Sequence, residues 1–247
     1  MADDHVAKAG AVSALQLRHV EGGYARLQVL WDIDFEVAEG TCVVLLGANG
    51  AGKSTTLATI MGLIELRGGE IDFLGEPLGA MRTDQRVARG ISYMTEKAVF
   101  ADMSVHDNLC LGAYSCGRRA ANESIDAIYS AFPVLAQRRR APAGSLSGGQ
   151  RKLVGVAKAL AASPKLIVMD EPSSGLSPLA VKEVVGALAK VRADRGASML
   201  IAEQNVAFTE IADQVVVIEG GRVGFSGTVS ELEADDALRK AFFGLEG

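Results

Sequence analysis

The segment VVLLGANGAGKS, residues 43–54, decides the fold because it joins an apolar run directly to a glycine-rich loop. Residues 43–46 form a short continuous apolar run, which is typical of a strand covered on both faces. Residues 47–54 match the pattern G-x-x-x-x-G-K-[ST] at every fixed position, and a helix is predicted over residues 53–64. A strand, a glycine-rich loop and a helix in this order predict a phosphate-binding loop. The alternative, a glycine-rich turn with an accidental lysine, does not account for these flanks.

Such a loop binds anions through its main chain. Glycines let the loop curl so that successive N–H groups point inward at a helix N-terminus. Lys53 adds a positive charge for the β- and γ-phosphates of a nucleotide, and the Ser54 hydroxyl is placed to reach Mg²⁺. The predicted nucleotide-binding residues here are Gly47, Ala48, Asn49, Gly50, Ala51, Gly52, Lys53, Ser54 and Thr55.

Two carboxylates follow a second apolar strand in the segment LIVMDE, residues 166–171. Asp170, at the end of the strand, is predicted to hold Mg²⁺ through its waters. Glu171 is predicted to point at the γ-phosphate and to polarise the attacking water as a general base. Two acids after a strand would also fit a solvated turn, but their pairing with the phosphate-binding loop favours a magnesium–nucleotide site.

Away from these motifs, the apolar periodicity switches repeatedly between strand and helix. Strands are predicted at 33–37, 166–169 and 199–202, with a helix around 181–191 and a hairpin over 215–225. Strands that alternate with helices predict an α/β fold with a mostly parallel core sheet.

Residues 101–144 have a different pattern. Two helices are predicted there, over 105–114 and 123–132, with no strand signal between them. We therefore interpret 101–144 as a helical subdomain inserted into a single domain over 14–247, after a flexible N-terminus at 1–13.

Composition and charge limit the classes of function that fit this chain. The chain has 247 residues, 49% of them hydrophobic, and a net charge of −5, which makes nucleic acid an unsuitable partner. Cys42, Cys110 and Cys116 match no zinc or redox spacing and are expected to be small core residues in a reducing compartment. The sequence shows no apolar run of about 18 residues and no signal-peptide pattern. We expect a cytosolic chain that another protein holds at any membrane where it works.

The segment LSGGQ precedes a helix predicted to run through residue 162. Ser147 is a favourable N-cap, and the glycines leave the first main-chain N–H groups unobstructed, which predicts a second anion-binding helix terminus. At this point the sequence resembles the ATP-binding-cassette (ABC) ATPases, from residue 15 to about residue 243. The family's signature corresponds to Leu146, Ser147, Gly148, Gly149 and Gln150.

The resemblance implies the P-loop ABC-ATPase fold, with an antiparallel β portion beside the core sheet, and it implies ATP and Mg²⁺ as ligands. It also implies a head-to-tail dimer in which each ATP lies between one chain's phosphate-binding loop and the other chain's signature. The second chain is either a copy of this one or a paralogous ATPase. Tyr24 matches the aromatic residue that stacks on adenine in the family, and a buried packing role is the alternative.

Three departures from the usual ABC pattern restrict the resemblance to one branch of the family. Glu96 replaces a glutamine before the helical subdomain, Gln204 replaces the switch histidine, and Ser177 replaces an aspartate. Together with residues 60–63, they resemble the second of the two ATPases in branched-chain amino-acid importers and their amide and urea relatives. Glu96 then joins Ser54 and Asp170 as a magnesium residue, and Gln204 joins Glu171 and Lys53 as catalytic. Residues 97–100 depart from that branch, which leaves the transported solute open.

The implied function is to energise a membrane importer from the cytoplasmic face of the inner membrane. Its partners would be integral permease subunits and, indirectly, a periplasmic solute-binding protein. A non-transport ABC ATPase is one alternative, although such proteins usually carry tandem cassettes, coiled coils or a basic face. An ATP-binding regulatory subunit is another, because Gln204 cannot exchange a proton as histidine does. Glu171 and the intact loop argue against it.

Overall fold

Two sheets and the helices around them make up the described residues, 13–95 and 97–243, of this computed structural model. The strands are β1 (Ser13–Tyr24), β2 (Leu27–Ala38), β3 (Cys42–Leu46), β4 (Leu66–Phe73), β5 (Glu76–Pro77), β6 (Ile91–Met94), β7 (Leu166–Asp170), β8 (Ser198–Ala202), β9 (Gln214–Glu219) and β10 (Arg222–Gly227). The α-helices are α1 (Lys53–Ile60), α2 (Thr83–Ala88), α3 (Val105–Gly112), α4 (Arg118–Ala131), α5 (Pro133–Gln137), α6 (Gly148–Leu160), α7 (Pro178–Arg195), α8 (Val229–Ala234) and α9 (Asp236–Phe243).

The larger sheet has the strand order β10-β9-β3-β8-β7-β6, and all its neighbouring strands are parallel except the β9–β10 hairpin. The smaller sheet is antiparallel, in the order β2-β1-β4-β5. The predicted α/β fold, a mostly parallel core sheet with an antiparallel β portion, is therefore confirmed.

The core lies on both faces of the larger sheet, and β3 shows why its sequence is uninterrupted in apolar residues. Because side chains alternate across a strand, Val43 and Leu45 pack into a cluster with α1 and the smaller sheet. Val44 and Leu46 pack on the opposite face with α6 and α7. All residues of β3 are buried as a result, and the loop that follows begins from a rigid strand.

Parallel pairing also brings the predicted site together. β8 lies between β3 and β7, and its Ala202 pairs with both Leu45 and Asp170. The loops after these three strands therefore leave the same edge of the sheet, which is where ligands bind in open α/β sheets.

Helix α1 is shorter than the predicted span 53–64 because Gly62 terminates it. Gly62 has φ +70°, and its N–H donates to the Thr59 carbonyl (3.0 Å) while the Leu63 N–H donates to the Ala58 carbonyl (2.9 Å). This paired arrangement is the Schellman motif, in which a left-handed residue ends a helix.

Residues 105–137 contain α3, α4 and α5 and, within the described chain, no strand. Helix α4 begins at Arg118 rather than at residue 123, so the prediction missed its first turn. β1 begins at Ser13, which shortens the predicted flexible segment by one residue, and residues 1–12 lie outside the described residues.

The expectation for the cysteines is correct for Cys42, which is buried in β3, and wrong for Cys110, which is exposed. Helical spacing explains the second case, because the neighbouring Leu109 occupies the buried face of α3. Cys116 is half-buried.

Candidate active site

The loop between β3 and α1 has a backbone that only glycine accommodates at two points. Gly47 has φ +155°, and a Cβ atom there would lie 2.4 Å from the Ile218 carbonyl oxygen. Gly52 has φ +115° and is the N-cap of α1, where no side chain caps the helix. The loop therefore curls tightly, and the helix N-terminus that it leads into has no side-chain acceptor of its own.

Lys53 is folded back across this loop. It is 4% exposed, and its Nζ donates hydrogen bonds to the carbonyl oxygens of Gly47 (2.7 Å) and Ala48 (3.0 Å). Burial lowers the pKa of Lys53, and the carboxyl groups of Glu171, Asp170 and Glu203 act in the opposite direction. The sequence places a lysine here, and the structure surrounds it with the groups that hold its ammonium at the loop.

Ser54 and Asp170 meet as predicted, from two different elements. The Ser54 Oγ donates to the Asp170 Oδ1 over 2.9 Å. A hydroxyl and a carboxylate are hard oxygen ligands, and this donor set fits Mg²⁺, which usually keeps several waters and takes few protein ligands. Glu96, the third residue assigned to magnesium, lies outside the described residues.

Gln204 connects the two other loops at this edge of the sheet. Its Nε2 donates to the Glu171 Oε1 over 2.9 Å and to the Asn49 Oδ1 over 2.5 Å. One amide therefore links the carboxylate after β7 to the phosphate-binding loop. Gln204 cannot carry a proton, but this geometry lets it orient the group that is predicted to do so.

The main chain of Glu171 is strained. Its φ is +47°, in the left-handed region that costs a residue with a side chain about 1–2 kcal/mol. Three hydrogen bonds hold it there: its N–H donates to the Ala202 carbonyl (2.9 Å), and its carbonyl oxygen accepts from the Lys152 Nζ (3.0 Å) and the Ser174 N–H (3.2 Å). Lys152 was not predicted from the sequence, because no local pattern shows that α6 directs this lysine at the residue after β7.

The signature residues lie elsewhere. Ser147 is the N-cap of α6 as predicted, and its Oγ accepts from the Gln150 N–H while the Gln150 Oε1 accepts from the Ser147 N–H, each over 3.3 Å. Gly148 lines a cavity of about 440 Å³ with Lys152 and residues 174–176.

Residues 47–51 line a different cavity, of about 580 Å³, together with Gln204 and Phe242. The described residues that form these two cavities do not overlap. Within one chain, the two predicted anion sites are therefore separate.

The surroundings of Tyr24 and Ser177 can be compared with the roles predicted for them. Tyr24 ends β1 and is 53% exposed, which does not fit the buried packing alternative. Ser177 is the N-cap of α7, where its Oγ accepts from the Ala180 N–H over 3.4 Å. Serine and aspartate are both good N-caps, so this departure from the usual ABC pattern preserves the helix start.

Comparison with known families now identifies the chain, since residues 30–174 match the family described as ABC transporter. The chain belongs to this family. ABC transporter ATP-binding subunits hydrolyse ATP to drive transport, work with membrane permease subunits and dimerise. This chain is thus an ABC transporter ATP-binding subunit and an ATPase, which confirms the family suggested by the LSGGQ segment.

Relatives of this ABC subunit include two proteins named for branched-chain amino-acid transport. A probable LivF of Archaeoglobus fulgidus is 33% identical, over 92% of this chain and 97% of the relative. BraG of Pseudomonas aeruginosa is 32% identical, over 90% and 95%. The lipopolysaccharide export protein LptB of Escherichia coli is 30% identical, over 94% and 98%.

A crystal structure of an ABC transporter cassette in its ADP conformation has a TM-score of 0.83 and 23% identity. It covers 94% of this chain, and this chain covers 99% of it. The likeness confirms the fold of the ABC cassette.

Proposed function

We propose that Glu171 is the general base of ATP hydrolysis, that Lys53 binds the β- and γ-phosphates, and that Gln204 orients Glu171. The observation that carries this proposal is the 2.9 Å hydrogen bond from the Gln204 amide to the Glu171 carboxylate. The same amide reaches Asn49 in the phosphate-binding loop, so the base and the loop share one hydrogen-bond network. A general base that is held in this way is ready to take a proton from water.

The magnesium ion would be held by Ser54 and Asp170, and Glu96 is assigned to it from the sequence alone. When bound, Mg²⁺ neutralises phosphate charge during phosphoryl transfer. The chain's own contribution is to bring a hydroxyl and a carboxylate together at the start of α1. Tyr24, half-exposed at the end of β1, would stack on adenine.

The working unit would be a head-to-tail dimer. Support comes from the two cavities, because the cavity beside residues 47–51 shares no lining residue with the cavity that Gly148 lines. A second chain, whether a copy or a paralogous ATPase, would bring its own residues 146–150 to that nucleotide. We assign this role to one domain over 14–247, with 101–144 as its helical subdomain.

Permease subunits would dock in a lateral groove of about 690 Å³ that runs beside β6 and α6. Leu63, Val87 and Phe100 line this groove and keep 58%, 37% and 54% of their surfaces exposed. Among the described residues, none of the helices has the length and apolar content needed to cross a bilayer. A docked permease would hold the chain at the cytoplasmic face of the inner membrane.

The transported solute is proposed to be a branched-chain amino acid or a related small polar molecule such as an amide or urea. The support is the trio Glu96, Ser177 and Gln204 together with the similarity to the proteins named LivF and BraG. A periplasmic solute-binding protein would deliver that solute to the permeases. Similarity to LptB favours a second candidate, an export system for a lipid-linked saccharide.

Both candidates are tested by purifying the chain with its membrane partners from its own cells and placing the complex in vesicles. An importer is expected to show ATP hydrolysis that a solute-binding protein loaded with leucine, an amide or urea stimulates, with uptake of that solute. Hydrolysis stimulated only by lipopolysaccharide would support the export candidate instead. Leu63→Glu should prevent co-purification with the permeases and leave basal hydrolysis intact, because Leu63 is exposed and follows the C-terminal end of α1, opposite the end that carries Lys53 and Ser54.

A further inference from the structure

Glu203 is a buried carboxyl group that the proposed chemistry does not use. It directly follows β8 and is 2% exposed. Its Oε1 accepts a hydrogen bond from the Ser173 N–H over 2.7 Å, and its Oε2 accepts from the N–H groups of Gln204 (3.0 Å) and Asn205 (3.3 Å). Burying a carboxyl group is unfavourable unless hydrogen bonds replace its water, and here all the donors are main-chain groups of two loops.

These two loops carry the proposed catalytic side chains. Ser173 lies in the loop after β7, two residues beyond Glu171, and Gln204 is the second residue of the loop after β8. Glu203 therefore joins the loops at their bases, and the bond between Gln204 Nε2 and Glu171 Oε1 joins them again at their side chains. The side-chain pair depends on how the two main chains are held.

Glu171 needs such support because its left-handed backbone does not persist unless its surroundings fix it. The Lys152 Nζ and the Ala202 carbonyl hold the residue itself. Ser173, bound to Glu203, holds the chain just beyond it. Without that last contact, the loop has fewer constraints that keep the carboxylate turned toward Gln204.

We propose that Glu203 is a positioning residue for ATP hydrolysis, acting through the main chains of Ser173 and Gln204 to align Glu171 with the attacking water. The inference rests on the proposed roles of Glu171 and Gln204. A misplacement of about 1 Å in a reacting group costs roughly 10²-fold in rate. ATP affinity depends mainly on the loop between β3 and α1. Glu203 raises the pKa of Lys53 in that loop less than Glu171 and Asp170 do, so its loss should affect the rate of hydrolysis much more than binding.

Glu203→Gln is the direct test, since it preserves size and replaces one acceptor oxygen with an NH₂ group that faces N–H donors. Single-turnover hydrolysis in Mg-ATP should fall about 10–100-fold, with the calorimetric ATP dissociation constant within about threefold of wild type. Glu210→Gln is the matched control, because Glu210 is exposed in the same segment and loses the same charge. An unchanged rate for folded Glu203→Gln would overturn the proposal.

A double variant separates positioning from general packing. In a Glu171→Gln background the base is absent, so adding Glu203→Gln should slow hydrolysis by less than about threefold, as residues that act as a unit are not additive. A full second loss of 10–100-fold would show that Glu203 acts elsewhere. If Glu171→Gln alone hydrolyses ATP at nearly the wild-type rate, the proposed base is wrong. If Glu171→Gln slows hydrolysis but Glu203→Gln does not, Glu171 remains the proposed base and the positioning role of Glu203 is wrong.

Glu203→Asp decides the matter if the glutamine variant does not fold, as thermal unfolding would reveal. Aspartate keeps both acceptor oxygens but withdraws them by one methylene, so the fold should survive and the rate should fall about 5–20-fold with ATP affinity retained. A folded aspartate variant with the wild-type rate would contradict the role of Glu203.

Discussion

Two helix N-termini in this chain are predicted to bind an anion, and the structure caps them differently. Helix α1 begins at Gly52, which has no side chain to cap it, and Lys53 is already folded over the loop before it. Helix α6 begins at Ser147, whose side chain and that of Gln150 cap the helix reciprocally. At α1 no side chain caps the terminus, whereas at α6 the N–H groups of Ser147 and Gln150 are already bonded to the chain's own side chains.

The difference leads us to expect that ATP binding to one chain and closure of a second chain on that ATP are separate events. An uncapped, glycine-led terminus beside a lysine needs no rearrangement to take a phosphate. At the capped terminus, a ligand on another chain that uses the N–H groups of Ser147 and Gln150 must displace two hydrogen bonds, both 3.3 Å long. We therefore expect α1 to determine ATP affinity in the monomer and α6 to determine whether two chains close on it.

Glu171→Gln should produce the largest effect and separate the two events. The substitution keeps the size of the side chain and removes the general base, so single-turnover hydrolysis should fall about 10²–10⁴-fold. ATP would still bind at α1, and the α6 terminus of a second chain would stay closed on it. Size-exclusion chromatography in Mg-ATP should give a stable dimer, or a stable pair with a partner cassette, where the wild type returns to monomer. Hydrolysis within about threefold of wild type would refute the assignment.

Lys53→Ala should remove tight ATP binding in the monomer, because the phosphates lose the only side-chain cation of residues 47–54. Charged hydrogen bonds of this kind contribute about 1.5–3 kcal/mol each, so titration calorimetry should show affinity reduced roughly 100-fold or more. Lys190→Ala, an exposed lysine on α7, is the control and should bind as the wild type does. Unchanged ATP affinity in Lys53→Ala would contradict the expectation that the N-terminus of α1 determines ATP affinity in the monomer.

Tyr24→Ala should weaken ATP binding by about 1–3 kcal/mol if Tyr24 stacks on adenine, on the scale of aromatic–base stacking. The loss belongs to binding at α1 and should not depend on a second chain. Competition between ATP and GTP, measured before and after the change, gives the base preference. If both nucleotides compete equally in wild type and variant, Tyr24 has no role in recognising adenine.

Ser147→Ala should have the smallest effect on a single chain. It tests whether the N-terminus of α6 acts only when a second chain is present. Loss of an N-cap costs about 0.5–2 kcal/mol of stability, with the low end expected for bonds of 3.3 Å. ATP affinity of the monomer should stay within about twofold. In a Glu171→Gln background, however, the ATP-dependent dimer should dissociate more readily. A monomer that loses ATP affinity in Ser147→Ala would contradict the separation of the two cavities.

The sequence by itself determined the fold class and most of the site. The apolar run of β3, the glycines after it and the acids after β7 are local patterns with local causes, and each is where the pattern placed it. The N-cap at Ser147 was also predictable from the sequence, because an N-cap depends on residues within one turn. The predicted end of a helix was wrong where a single glycine terminated it, as Gly62 does for α1.

Only the tertiary structure decided which residues from distant parts of the chain support the site. Glu203 and Lys152 reach the Glu171 loop from two other segments, where they contact Ser173 and Glu171, and no periodicity in either segment records the other. Parallel pairing of β7 and β8 makes the contact with Glu203, since it fixes where each loop leaves the sheet, and the packing of α6 brings Lys152. Side-chain direction at that edge depends on packing across the whole sheet, and local sequence does not encode it.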